Sequence, residues 1–268
     1  MPKASEIDVT KAPSILMKGP YGFGKTLAAC SAAIYGEVWL AYFDKNEPIE
    51  LKAWFKKHRP DLLKNIDYDV YGSENANEYL NKLMMFALKG CRYSAIITDS
   101  VTSLSSAAVN WSIGFRDPKG PKRDELSRDS IKLIPDFDEY KVETSLVTQA
   151  LDICTQLNVM NIWTAHPLPT LKVEGSGSKI NSISKTASIV SYGNKVGALV
   201  PARFHEVYHF GRQGGKRAVF TDLQGDDFAK TSLGLPTFLE IEDKLFFEVW
   251  RDALKKSGLI EPEKEVAR

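Results

Sequence analysis

The run Gly19-Pro20-Tyr21-Gly22-Phe23-Gly24-Lys25-Thr26 sets a lysine and a threonine directly behind a glycine-rich loop. Its spacing is G-x-x-x-x-G-K-[ST]. In such a run the glycines let backbone N–H groups turn inward around phosphate oxygens, and the helix that follows presents the positive end of its dipole. Lys25 then reaches the β- and γ-phosphates of a nucleoside triphosphate, and the Thr26 hydroxyl ligates Mg²⁺. Backbone groups as far as Leu27 complete the cradle. The loop specifies binding of a nucleotide such as ATP and, by itself, nothing further.

A site of this kind needs a second carboxylate beside the metal, at the tip of a neighbouring strand. Asp99, closing SAIITD, supplies it, and it can also cap the helix that begins at Ser100. Hydrolysis further needs a group that orients or deprotonates water. Asp44 and Glu47, in AYFDKNEP, are the candidates, with capping of a helix from Pro48 as the alternative role. His166, closing NIWTAH, is placed to meet a γ-phosphate and report it to the loop behind, or is an ordinary strand-end polar group.

These residues need strands to hold them. Residues 14–18, 38–43, 93–100 and 159–166 are short apolar runs, the first two stopping at Gly19 and Asp44 and the others closed by Asp99-Ser100 and His166. Between them lie helical patterns at 26–35, 48–58, 74–88 and 138–157, with another short strand near 68–71. Continuous apolar strands alternating with helices predict a doubly wound α/β fold with a mainly parallel sheet. FHEVYHF and KRAVFTD, joined by RQGG, predict a C-terminal β-hairpin, followed by a helix over 243–256. Two segments, 111–128 and 171–199, break the rhythm. They are long, polar and rich in Gly, Ser and Lys, and are read as flexible loops.

Composition sets outer bounds. At 268 residues, 43% hydrophobic and 26% charged, the chain can bury a sizeable core, and its net charge of +1 argues against a uniformly basic nucleic-acid coat. Cys30, Cys91 and Cys154 are too scattered for a zinc site or a disulfide framework. No run approaches the about 18 apolar residues of a spanning helix. The expectation is a cytoplasmic protein with a polar tail over 1–12, one domain over 13–257 and a charged tail over 258–268.

GPYGFGKT, IITDSVTSL, TAH and the late stretch from RFHEVYHF to PTFLEI together resemble a RecA-type P-loop ATPase core. They are most similar to small phage-encoded RecA-like "AAA domain" proteins linked to single-strand annealing and recombination. The resemblance implies that the strand ending at His166 lies between the loop strand and the Asp99 strand. It also implies a homo-oligomeric ring or filament and single-stranded DNA bound by the two irregular segments. There Lys119, Lys122, Arg123, Lys172, Lys179, Lys185 and Lys195 offer phosphate contacts, and Trp111, Phe115 and Tyr192 offer stacking faces.

The chain departs from that pattern twice. Where related cores carry a glutamate two positions after the second strand's aspartate, Asn46 stands, with Glu47 next. Where they carry Lys-x-Arg to reach a neighbour's ATP, AKTS supplies Lys230 but Ser232, leaving Lys230, Arg212 or Arg217 as trans-acting candidates. The expected function is an ATP-binding, ATP-hydrolysing protein acting on single-stranded DNA in phage recombination, annealing or repair, without the accessory domains of a large recombinase. The alternatives are a nucleotide-dependent assembly protein that does not act on DNA, and a small-molecule kinase.

Overall fold

The computed structural model describes residues 13–44, 47–114, 135, 137–174, 182–191, 194–222, 229–242 and 244–261. Asn46, Phe115, Lys119, Lys122, Arg123, Lys179 and Tyr192 lie outside them, as do the tail over 1–12 and residues 262–268.

The apolar runs form strands because every residue in them finds a dry surface. β1 (Ser14–Lys18), β4 (Ala95–Asp99) and β5 (Met160–Ala165) are buried along their whole length, and β2 (Val38–Tyr42) is buried except at Tyr42. With β3 (Ile66–Val70), β8 (Glu206–Gln213), β9 (Lys216–Phe220) and β10 (Phe238–Glu240) they build one eight-stranded sheet in the order β10-β9-β8-β1-β5-β4-β2-β3. The six strands from β8 to β3 pair in parallel, while β9 and β10 add an antiparallel flank through the Gly214-Gly215 turn.

Period-2 alternation sends successive residues to opposite faces, and helices cover both. Leu16, Trp39, Ile96 and Trp163 pack towards α4 (Ala76–Lys89), α5 (Val101–Gly114) and α6 (Phe137–Gln156). Ile15, Met17, Leu40 and Ile97 pack towards α1 (Lys25–Cys30), α2 (Ile49–His58), α3 (Pro60–Leu63) and α8 (Phe246–Lys256). The architecture is therefore α/β with helices on both faces of a mostly parallel sheet. On the second face Trp250 donates its indole N–H to the Tyr208 hydroxyl (2.9 Å), which donates to the wholly buried Glu206 carboxylate (2.8 Å).

Several boundaries differ from those the sequence suggests. The helix expected over 26–35 is α1 followed by a tighter 3₁₀ turn at Ser31–Tyr35, and the helix after Asp99 runs on to Gly114, so Trp111 is helical. The segment 171–199, expected to be an irregular loop, is largely regular. β6 (Pro167–Glu174) and β7 (Ser182–Ile189) form a separate antiparallel hairpin, and α7 (Asn194–Ala202) follows. Its Gly, Ser and Lys content suggests a loop, but SISKTASI sets Ser182, Ser184, Thr186 and Ser188 on one face and Ile183, Lys185, Ala187 and Ile189 on the other, a period-2 pattern that a strand can adopt. β10 has no clear periodicity in its three residues and is fixed by pairing with β9.

Parallel strands bring their carboxyl ends to one edge of the sheet, where such folds place ligands. Gly19 follows β1, Asp44 lies just beyond β2, Asp99 ends β4 and His166 follows β5. Register sets them side by side: Lys18 is opposite Ala165, and Tyr42 is opposite Asp99.

Candidate active site

The glycine-rich loop leaves β1 by passing hard against β8. A Cβ on Gly19 would lie 2.7 Å from the Phe210 carbonyl oxygen and 2.8 Å from its Cβ, so only glycine fits there. Gly24 has φ 81° and forms the cap of α1, with its carbonyl accepting the Ala28 N–H at 2.8 Å. A left-handed residue at that point costs glycine little and other residues more.

Lys25, the first residue of α1, is buried, and its ammonium donates to the carbonyls of Gly19 (2.7 Å) and Pro20 (2.8 Å). Burial lowers its pKa to about 8, with Asp99 pulling the other way. Thr26 donates its hydroxyl to Asp99 Oδ2 at 2.7 Å, and Thr164 donates to Oδ1. Burial raises the Asp99 carboxyl above its usual range, the two threonine bonds oppose that, and the nearby Asp44 charge adds to it.

His166 stands 3.4 Å from the Lys25 ammonium through Nδ1, and its ring stacks on the exposed Tyr21 at 3.6 Å between centroids and 20° between planes. Burial first and Lys25 second lower its pKa to about 4, so the imidazole is neutral at physiological pH. Its backbone N–H donates to Thr102 Oγ1 at 3.4 Å, and its carbonyl accepts the Val190 N–H at 2.7 Å, across the root of the β6–β7 hairpin.

Asp44 accepts a hydrogen bond from Ser103 Oγ at 2.9 Å, and its charge together with burial raises the Tyr42 phenol above its usual range. Together with Lys25, Thr26, Asp99 and His166, both Asp44 and Glu47 line a cleft of about 640 Å³. A second hollow of about 380 Å³ adjoins it past Gly24 and Leu27, walled by Phe23, Trp54, Arg217 and Phe246. Trp54 borders both spaces, and its ring stacks on His58 at 4.8 Å.

The other sequence-derived candidates are more scattered. The Arg212 guanidinium lies 5.9 Å from the Phe23 ring centre, and Arg217 borders Gly24, so both stand beside the chain's own loop. Lys230 pairs through its backbone with Val207 at both N–H and C=O, 2.9 Å each. Ser232 turns inward, donating its N–H (2.8 Å) and hydroxyl (2.6 Å) to Glu206 Oε1. Lys172 and Lys185 sit in the hairpin, opposite Ser184 and Leu171 respectively, and Lys195 is exposed on α7.

Sequence reasoning missed Tyr42, Trp54, Thr102, Ser103 and Thr164. Ser103 and Thr102 lie within the DSVTSL run and Thr164 within TAH, yet nothing in one sequence says which hydroxyls turn towards the cleft. A hydroxyl and a carboxylate 2.7 Å apart are hard oxygen donors that suit Mg²⁺. Among the described residues no group of three or more His, Cys, Asp or Glu could hold a metal alone. Among the described residues no helix is long and apolar enough to cross a membrane.

No family model matches the chain, and no curated protein matches it. Among solved structures it is similar to one described as a prototypical ATPase from the type III secretion system of pathogenic bacteria, with 11% identity and a TM-score of 0.43. That match covers 75% of this chain and 52% of the other, so the chain spans about half the length of that relative.

Proposed function

We propose that this protein is a RecA-like ATPase, a cytoplasmic homo-oligomer that binds ATP with Mg²⁺, hydrolyses it, and acts on single-stranded DNA in phage recombination, annealing or repair. The observation that carries the nucleotide reading is the convergence of Lys25, Thr26, Asp99 and His166 on one cleft at the carboxyl edge of the sheet.

In this reading Lys25 exchanges its bonds to the Gly19 and Pro20 carbonyls for phosphate oxygens. Its positive charge then stabilises the charge that develops during phosphoryl transfer. Thr26 and Asp99 would hold Mg²⁺, which when bound would neutralise phosphate charge. Thr164 keeps the Asp99 carboxylate oriented from behind. His166, neutral, meets the γ-phosphate as a hydrogen-bonding group rather than as a cation. The hollow beside Trp54 and Phe23 receives the base, whose flat face an aromatic wall suits.

For the polymer partner the support is the lysines of the 111–128 segment, of the β6–β7 hairpin and of α7. They supply charge that binds phosphates in a salt-dependent way. Binding ATP at a subunit interface, with Lys230 reaching a neighbour, would favour the same assembled state that DNA favours.

Hydrolysis measured with and without single-stranded DNA, across a salt series, tests the reading. Expected are magnesium-dependent turnover, stimulation by DNA, and DNA affinity that falls as salt rises. Turnover without stimulation or salt-sensitive binding would leave a nucleotide-dependent assembly protein. Phosphate transfer to a nucleoside or sugar would make it a kinase.

A further inference from the structure

We propose that Asp44 is the carboxylate that activates the attacking water, and that Ser103 is the residue that positions it. The inference rests on the ATPase reading above and concerns which acid performs the chemistry in a chain that has Asn46 two positions after Asp44.

Two acids line the cleft and could serve. Both are exposed, and among the described residues the Glu47 side chain has no hydrogen-bond or ion-pair partner. Asp44 is held by a hydroxyl from another element. Ser103, in the first turn of α5, donates to Oδ1 at 2.9 Å. Ser103 is itself fixed: its N–H donates to Ser100 Oγ at 3.3 Å, and the two hydroxyls lie 3.1 Å apart. A directed chain Ser100 to Ser103 to Asp44 uses each proton once.

The placement is also right for the chemistry. Asp44 lines the same cleft as Lys25, Thr26, Asp99 and His166. The same α5 turn holds His166 through Thr102, so the acid and the γ-phosphate contact share one rigid support. A general base must be held within reach of the proton it takes, and it contributes about 10²–10⁴ in rate when so positioned. In the step, the water oxygen bonds to the γ-phosphorus and its proton passes to an Asp44 carboxylate oxygen. The bond from phosphorus to the β,γ-bridging oxygen breaks, and its electron pair stays on ADP.

The test compares Asp44→Asn, Glu47→Gln, Ser103→Ala and Ser103→Thr in the full chain. Affinity for a non-hydrolysable ATP analogue, melting temperature and single-turnover hydrolysis are read for each. Asp44→Asn is expected to slow hydrolysis by at least about 100-fold, at least about tenfold more than Glu47→Gln, with analogue affinity within about threefold of wild type. Ser103→Ala is expected to slow it about tenfold, and Ser103→Thr, which keeps the hydroxyl, to restore it. Hydrolysis that survives in Asp44→Asn and fails in Glu47→Gln overturns the inference while leaving the ATPase reading intact. Equal losses in both Ser103 variants overturn the role of that hydroxyl. A wild-type protein that binds no analogue overturns the ATPase reading and this inference together.

Discussion

Thr26 donates a hydrogen bond from its hydroxyl to Asp99 across 2.7 Å, linking the helix that follows β1 to the tip of β4, two places away in the sheet. The bond is more than a tether, because it occupies the oxygens a magnesium ion would use. Asp99→Asn is expected to abolish magnesium-dependent hydrolysis, with a loss of at least about 100-fold. The same variant is expected to melt at or above the wild-type temperature, since it removes a carboxylate whose burial disfavours its charge. Calorimetry alongside a phosphate-release assay checks both halves.

His166 carries a pH signature. Its pKa of about 4 in the folded chain lies below the ordinary imidazole value of 6.5. Between those values the unfolded chain binds more protons, so stability rises with pH through that window and levels off above it. Denaturant midpoints at pH 5 and pH 7 should therefore differ, lower at pH 5, and His166→Asn should shrink that difference.

Gly19 is where the loop crosses β8 too closely for a side chain. Gly19→Ala must displace the loop or the Phe210 backbone, at a cost of about 1–3 kcal/mol. Because the loop itself moves, analogue affinity is expected to fall by more than the melting temperature alone would suggest. Equilibrium unfolding and analogue titration on the same sample separate the two.

Ser232 turns inward and satisfies a buried carboxylate. Ser232→Ala removes one donor to the wholly buried Glu206 and is expected to cost about 1.5–3 kcal/mol. Hydrolysis per folded molecule should be little changed. Urea unfolding followed by tryptophan emission, which senses Trp250 nearby, provides the measurement.

Trp54 borders both hollows, whereas Trp39, Trp163 and Trp250 are fully buried. Nucleotide addition is expected to change the emission of wild-type protein, and Trp54→Phe should remove most of that change. Trp54→Ala should weaken nucleotide binding by about 0.5–1.5 kcal/mol, the range of an aromatic stacking contact.

The strands that carry Gly19, Asp44, Asp99 and His166 are legible in the sequence because both their faces are buried. That requirement writes unbroken apolar runs ending at the residues of interest. The hydroxyls were not legible. Thr164 is one of many threonines until β5 is seen beside β4, and Ser103 gains meaning only when the first turn of α5 is set against the end of β2. The hairpin at 167–189 was misjudged for a related reason: its composition resembles a loop, and its pairing is with itself rather than with the main sheet.

That self-pairing has a mechanical consequence. Each arm of the hairpin has eight residues, so at about 3.4 Å per residue it extends about 27 Å from a root at His166 and Val190. A tilt of about 10° at that root would carry the far end through about 5 Å, a distance comparable to one strand spacing. The carbonyl that roots the hairpin belongs to the residue whose imidazole stands beside Lys25, so a shift too small to disturb the sheet at His166 would be multiplied at the other end of the arm.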